Sequence, residues 1–298
     1  MGRMIRRPRG LLDGLRERIV LMGVLTAAPL LALLVVAGLL DREQALRSAA
    51  ERAAALARLG TAEQAETIDE VARTLRLLAL VPELRAIAPG ACDRRVTEAA
   101  ARAVAHGTRI TIVRPDGVVI CSSWREAPHP DLGDRPYFRR ALEAGPDAPA
   151  AVQMVVSRLT ATPVMVVARR LHTEAADGVI VASLGMDWLA QLAARLPGPL
   201  RHVAAIIDPA SGTVLGRFPH PEGDTAEIRP GPRLRRALAG RTAGSVTMAH
   251  WNGMPMVFGF APLPVGGQTV MLAVGVARQD VLASANQHLR FGVALALA

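Results

Sequence analysis

Ile110-Thr-Ile-Val-Arg-Pro-Asp-Gly-Val-Val-Ile-Cys121 reads as a strand, a tight turn and a second strand. Asp116-Gly117 stands between two apolar runs, and such a pair marks a hairpin because glycine accepts the backbone that the turn demands. The plan returns 94 residues later as Ala204-Ala-Ile-Ile-Asp-Pro-Ala-Ser-Gly-Thr-Val-Leu215. A short helix is predicted after each hairpin, Tyr137 to Ala144 and then Leu234 to Ala239. Strands follow in both copies: Val152–Ser157, Val164–Leu171 and Val179–Leu184 in the first, Ser245–His250, Met256–Ala261 and Val270–Val276 in the second. A repeat of this length predicts two copies of one α/β (α+β) module, an antiparallel sheet with helices on a face.

Ahead of the first copy, residues 42–81 contain no proline and one glycine, Gly60. Leu56, Leu59, Ile68, Val71, Leu75 and Leu78 recur at helical spacing on an alanine-rich background. At 1.5 Å per residue such a helix is about 60 Å long. One small domain cannot cover that length, so it is expected to rise as a stalk and then pack along the sheets. Pro82 and the Ala-Pro-Gly at 88–90 end the run, and a second helix is predicted from Asp93 to His106.

The chain has 298 residues and carries 35 basic residues against 26 acidic ones, and no basic residue is a lysine. That excludes a P-loop, a pyridoxal Schiff base and a protein kinase, each of which needs a lysine. The net charge of +9 raises nucleic acid as a partner. Six arginines stand against two acids in residues 1–18, and the remaining basicity is dispersed without aromatic company, so no nucleic-acid face is expected.

The 22 residues from Ile19 to Leu40 hold no charge. About 20 apolar residues span a bilayer, and arginines on the N-terminal flank keep that side in the cytoplasm. A cleaved signal peptide has a shorter apolar region. The expectation is a signal anchor in the bacterial inner membrane, with residues 41–290 outside the cytoplasm. Gln279 to Arg290 reads as a helix, and Phe291 to Ala298 is wholly apolar. Eight residues are too few for a span, so this tail is read as the start of a second one, with a frayed amphipathic tail as the alternative. Outside the cytoplasm, Cys92 and Cys121 read as a disulfide closing a loop of about 30 residues, worth roughly 3–4 kcal/mol. A metal site needs more ligands at short spacing, and the seven histidines are scattered singly.

Asp134-Arg135-Pro136-Tyr137-Phe138 carries the recognition chemistry. A guanidinium binds a carboxylate through two charge-assisted bonds, and adjacent aromatics can wall a small pocket over it. The same residues also make a helix start, with Asp134 as cap, Pro136 in the first turn and both aromatics packed inward. No nucleophile elbow, paired carboxylates or metal spacing appears, so no catalytic residue, cofactor or metal is expected and this chain by itself is not read as an enzyme.

An anchor, a long helix, two tandem PAS-like modules, a second span and this motif together resemble the double Cache sensor domain of bacterial transmembrane receptors, over about residues 42–290. The placement of Cys92 and Cys121 is similar to members that precede histidine kinase or diguanylate cyclase output domains. The resemblance implies a basic tail (1–18), a transmembrane helix (19–40), stalk and packing helices (41–107), a membrane-distal module (108–198), a membrane-proximal module (199–278) and a C-terminal helix with a truncated second span (279–298). It implies a small-molecule ligand, a membrane and a homodimer as partners.

In amino-acid-sensing relatives the corresponding string ends Arg-Pro-Trp-Tyr, and a later aspartate holds the ligand amine. Here Arg135 matches, Tyr137 stands at the tryptophan, Phe138 replaces the tyrosine and loses a hydroxyl, and the later aspartate is Asp187. A cap for the Trp188–Arg195 helix is the alternative role for Asp187. The form seen here is more like receptors for C4-dicarboxylates and other small organic acids. Ser157 and Arg158 are placed to give a second anion contact, against a solvated edge arginine as the plain reading. The implied function is the input half of a sensor histidine kinase, a diguanylate cyclase or a chemoreceptor. An envelope assembly protein using the modules for protein contact, or a hydrolase with an irregular site, are the rivals.

Overall fold

The computed structural model describes residues 11–85, 93–104, 107–124, 130–145, 148–172, 177–196, 202–219, 236, 238, 242–249, 253–283 and 285–287. It divides into two compact units, Ala50–Ala277 and a second made of Met1–Ala49 with Arg278–Ala298.

Helix α1 runs from Leu11 to Leu78 with Pro29 inside it. In the second unit it is joined by the helical residues 278–283 and 285–287. Large apolar side chains stand exposed on this part of α1, among them Leu21, Leu25, Leu33, Val36 and Leu40. Among the described residues no helix is long and apolar enough to cross a membrane, and several side chains within 19–40 lie outside those described. The basic tail at 1–10, the apolar residues 291–298 and most of the Leu234–Ala239 helix also lie outside them.

In the larger unit, α1 ends at Leu78, short of the expected 81, and a 3-10 turn at Pro82–Arg85 follows. Helix α2 (Arg94–Ala103) begins at Asp93, whose carboxylate accepts from the Arg95 amide, a proper N-cap. The distal module then contains β1 (Arg109–Val113), β2 (Val119–Ser122), α3 (Pro136–Glu143), β3 (Ala151–Val156), β4 (Pro163–Leu171) and β5 (Gly178–Leu184). Helix α4 (Asp187–Ala194) leads to the proximal module, with β6 (His202–Ile207), β7 (Val214–Phe218), β8 (Gly244–Ala249), β9 (Pro255–Val265) and β10 (Gln268–Ala277).

Each module is a five-stranded antiparallel sheet, ordered β2-β1-β5-β4-β3 and β7-β6-β10-β9-β8. With β6 standing for β1 the two orders are identical, so the sequence repeat is a structural repeat. It extends to detail: the register slips between Ile112 and Val113 in β1 and between Ile206 and Ile207 in β6, positions 94 residues apart.

Alternation along the strands fills two faces. In β5, Ile180, Ala182 and Leu184 join a core under α1, whereas Val179 and Val181 face the other way onto α3. The α1-side core is continuous through both modules: Ile68, Val71 and Leu75 of α1, Met165 of β4, Leu192 of α4 and Leu272 of β10 belong to one cluster. The helix reaches the proximal sheet by being small there. A Cβ added at Gly259 of β9 would come within 2.0 Å of the Ala54 amide nitrogen, so backbone meets backbone. This corrects the expected stripe: Leu59 is 50% exposed, and Ala53, Ala57 and Gly60 take buried positions because the close approach leaves no room for leucine.

Cys121, on β2, is buried and disulfide-bonded. Cys92 lies outside the described residues.

Candidate functional site

The loop that delivers Arg135 is pinned to the first hairpin. Val118 bridges to Asp131, and the Leu132 amide donates to the Gly117 carbonyl at 2.7 Å. Gly117 sits at φ +89, and a Cβ there would lie 2.3 Å from the Gly133 nitrogen, so only glycine serves. The Gly133 amide donates to Asp131 Oδ1 and the Arg135 amide to the Leu132 carbonyl, turning the chain into α3 with Pro136 in its first turn.

Asp134 does not cap α3, which corrects one expectation. The N-cap is Arg135, with no side-chain cap bond. Asp134 instead accepts both Nη1 and Nη2 of Arg158, at 2.7 and 2.6 Å, because a bidentate guanidinium is a stronger partner than a single amide. That bond, foremost, holds the Asp134 carboxyl below its ordinary range. Arg158 also donates to the Asp131 carbonyl. Arg158 is therefore a paired residue, not a free edge arginine.

These elements enclose a cavity of about 20 Å³, room for about one water. Its mouth carries Arg135, Arg158 and Ser157, its walls are Leu132, Val155, Val164 and Val166, and Thr111 and Ser183 are its polar residues on the sheet. Arg135 Nη2 donates to the Val156 carbonyl at 3.2 Å. The Ser157 hydroxyl accepts from the Leu159 and Thr160 amides within the β3–β4 turn. Tyr137 lines the cavity and is 4% exposed. Burial pushes its phenol up to about 12, against the lowering pull of Arg135 and Arg158, so it stays a neutral donor through the physiological range. No acidic residue is among the described residues lining the cavity.

Arg135, Tyr137, Ser157 and Arg158 thus meet at one place. Phe138 does not line it; it is 2% exposed in the apolar cluster behind, with Val113, Val166 and Val179. Asp187 is exposed in the first turn of α4 and does not line it either. Met186, not Asp187, is the N-cap of α4, which corrects the capping role read from sequence. Asp187 in a first helical turn is favourable to the helix dipole. Sequence reasoning missed Thr111 and Ser183, hydroxyl residues on the α3-facing side of β1 and β5.

The proximal module is filled at the matching place. Register equates Ser183 with Gly275 and Val166 with Phe258. A Cβ at Gly275 would lie 2.5 Å from the Phe258 ring, so the ring occupies the space that the distal module leaves open.

No family model matches the chain, and no curated protein matches it. Solved structures do. One is the extracellular domain of a candidate histidine kinase, rpHK1S-Z16, with TM-score 0.58 and 17% identity over 78% of this chain and 95% of that one. A domain of a candidate sensory box/GGDEF protein from Vibrio parahaemolyticus gives TM-score 0.56 and 12% identity over 80% and 99% of the two chains. The ligand-binding domain of the Campylobacter jejuni chemoreceptor Tlp3, in complex with 4-methylisoleucine, gives TM-score 0.52 and 14% identity over 81% and 94%. At these identities the likeness shows a shared fold: the chain has the two-module fold of extracellular sensor domains.

Proposed function

We propose that the chain is the extracytoplasmic input half of a bacterial transmembrane receptor, with the distal cavity as its site for a small organic acid. The observation that carries this is the lining: the Arg135 guanidinium and a neutral phenol line one small cavity, with Arg158 beside them in its pair with Asp134. A carboxylate suits a guanidinium and a phenol donor. Residues 19–40 act as the membrane anchor, which fits the exposed apolar side chains there, and residues 41–290 lie outside the cytoplasm. A Cys92–Cys121 disulfide belongs to that compartment.

A histidine kinase output is favoured by the likeness to the rpHK1S-Z16 domain, with a cyclase or a chemoreceptor as the alternative. Catalysis belongs to that output and not to this chain. The receptor acts as a homodimer through α1. Ligand shifts the balance between two arrangements of that helix only as far as it binds them unequally.

Amino acids are the second reading, because the similar Tlp3 and Pseudomonas fluorescens CtaA domains are seen with isoleucine and its relatives. An amine needs an anionic partner, and Asp187 stands outside the cavity lining. The test is thermal unfolding of the full chain in nanodiscs against a panel of mono- and dicarboxylates and amino acids. A ligand at 100 times its Kd adds about 2.7 kcal/mol, a rise of several degrees. Acid hits lost on Arg135→Ala support the proposal; hits confined to amino acids overturn the organic-acid assignment.

A further inference from the structure

Thr111 is out of place as a core residue. It lies on β1, between Val181 of β5 and Ser122 of β2, on the face that also carries Val113, Val164, Val166 and Val179. It is 2% exposed, and its hydroxyl has no hydrogen-bond partner among the described residues. Valine has the same shape and would leave no hydroxyl to desolvate, so packing alone favours valine. The repeat supplies the control. Register equates Thr111 with Ala205 in the proximal sheet, and Ser183 with Gly275, so both cavity hydroxyls are absent where Phe258 fills the space.

We propose that Thr111 is a specificity-determining residue: its hydroxyl, with Ser183 beside it on the same face, receives a second oxygen function of the ligand while Arg135 holds the first carboxylate. This rests on the organic-acid reading above and narrows it. The ligand class becomes short acids with polar groups at both ends and an apolar middle that suits the valine walls, namely dicarboxylates and hydroxy or keto acids, in preference to plain monocarboxylates. The cavity as it stands holds about one water, so such a ligand needs it to widen.

The experiment compares wild-type full chain with Thr111→Val, titrated with succinate, lactate and butyrate in nanodiscs. The expected result is a loss of at least tenfold in affinity for succinate or lactate, an unchanged or tighter Kd for butyrate, and a free-protein melting temperature that does not fall. Parallel losses for all three acids, or a lowered melting temperature of the free protein, would make Thr111 structural and overturn the proposal. Identical affinities in wild type and variant overturn it while leaving the organic-acid reading intact. A wild type that responds to none of the three overturns both.

Discussion

Beside the cavity, Asp134 is already engaged with Arg158 of the lining, and that sets how the pair responds to acid. Asp134 has its carboxyl held down by Arg158, so the pair contributes stability above the ordinary carboxylate range and loses it as pH falls through the lowered value. The melting temperatures of wild type and Asp134→Asn are expected to differ by a constant amount between pH 8 and pH 5. The gap should close below about pH 4. A gap that widens in acid contradicts the pairing. Tyr137 works differently: neutral up to about 12, it gives ligand binding no pH dependence between 6 and 9. Tyr137→Phe should weaken acid binding several-fold at every pH in that range, as measured by calorimetry. The motif around Arg135 was legible in the sequence because it is local. Thr111 was not: an unpartnered hydroxyl is visible only once the facing elements are in place.

At the scale of elements, the two modules meet α1 and each other through places where side chains are missing. Gly259 lets β9 touch the Ala53–Ala54 backbone, and Gly266, in the β9–β10 turn at φ +55, would drive a Cβ to 1.8 Å from the Val152 carbonyl of β3. Gly259→Ala is expected to lower stability by about 1–3 kcal/mol, the range for overpacking, in denaturant unfolding. Gly267→Ala is the control: its Cβ meets nothing within 4 Å, leaving only the backbone cost of its positive φ. A Gly259→Ala protein as stable as wild type would mean that contact with α1 does not matter. Strands, hairpins and the repeat were readable because burial on both faces leaves continuous apolar runs bounded by turn residues. The helix stripe was misread at Leu59, since hydrophobicity picks out leucine while the close approach selects alanine and glycine. The cap at Asp134 failed for a similar reason: a capping residue type says nothing of a stronger partner elsewhere, such as Arg158.

For the molecule as a whole, α1 is one helix from Leu11 to Leu78, so the segment read as an anchor and the segment packed on both sheets are continuous. In the larger unit, its Ala55 and Ala62 lie on the exposed side, away from the sheets. Ala62→Cys is expected to give a disulfide-linked dimer in membranes, seen on a non-reducing gel; monomer alone would count against dimerisation through this face. If the proposed Cys92–Cys121 disulfide forms, its reduction should lower stability by roughly 3–4 kcal/mol. Of the two modules, the distal one alone is expected to hold a carboxylate, through Arg135. Calorimetric titration of the best acid into the full chain and into Arg135→Ala tests it most directly. One site per chain is predicted for wild type, with affinity at least tenfold weaker in the variant. Two sites per chain, or equal affinity in the two proteins, would contradict it.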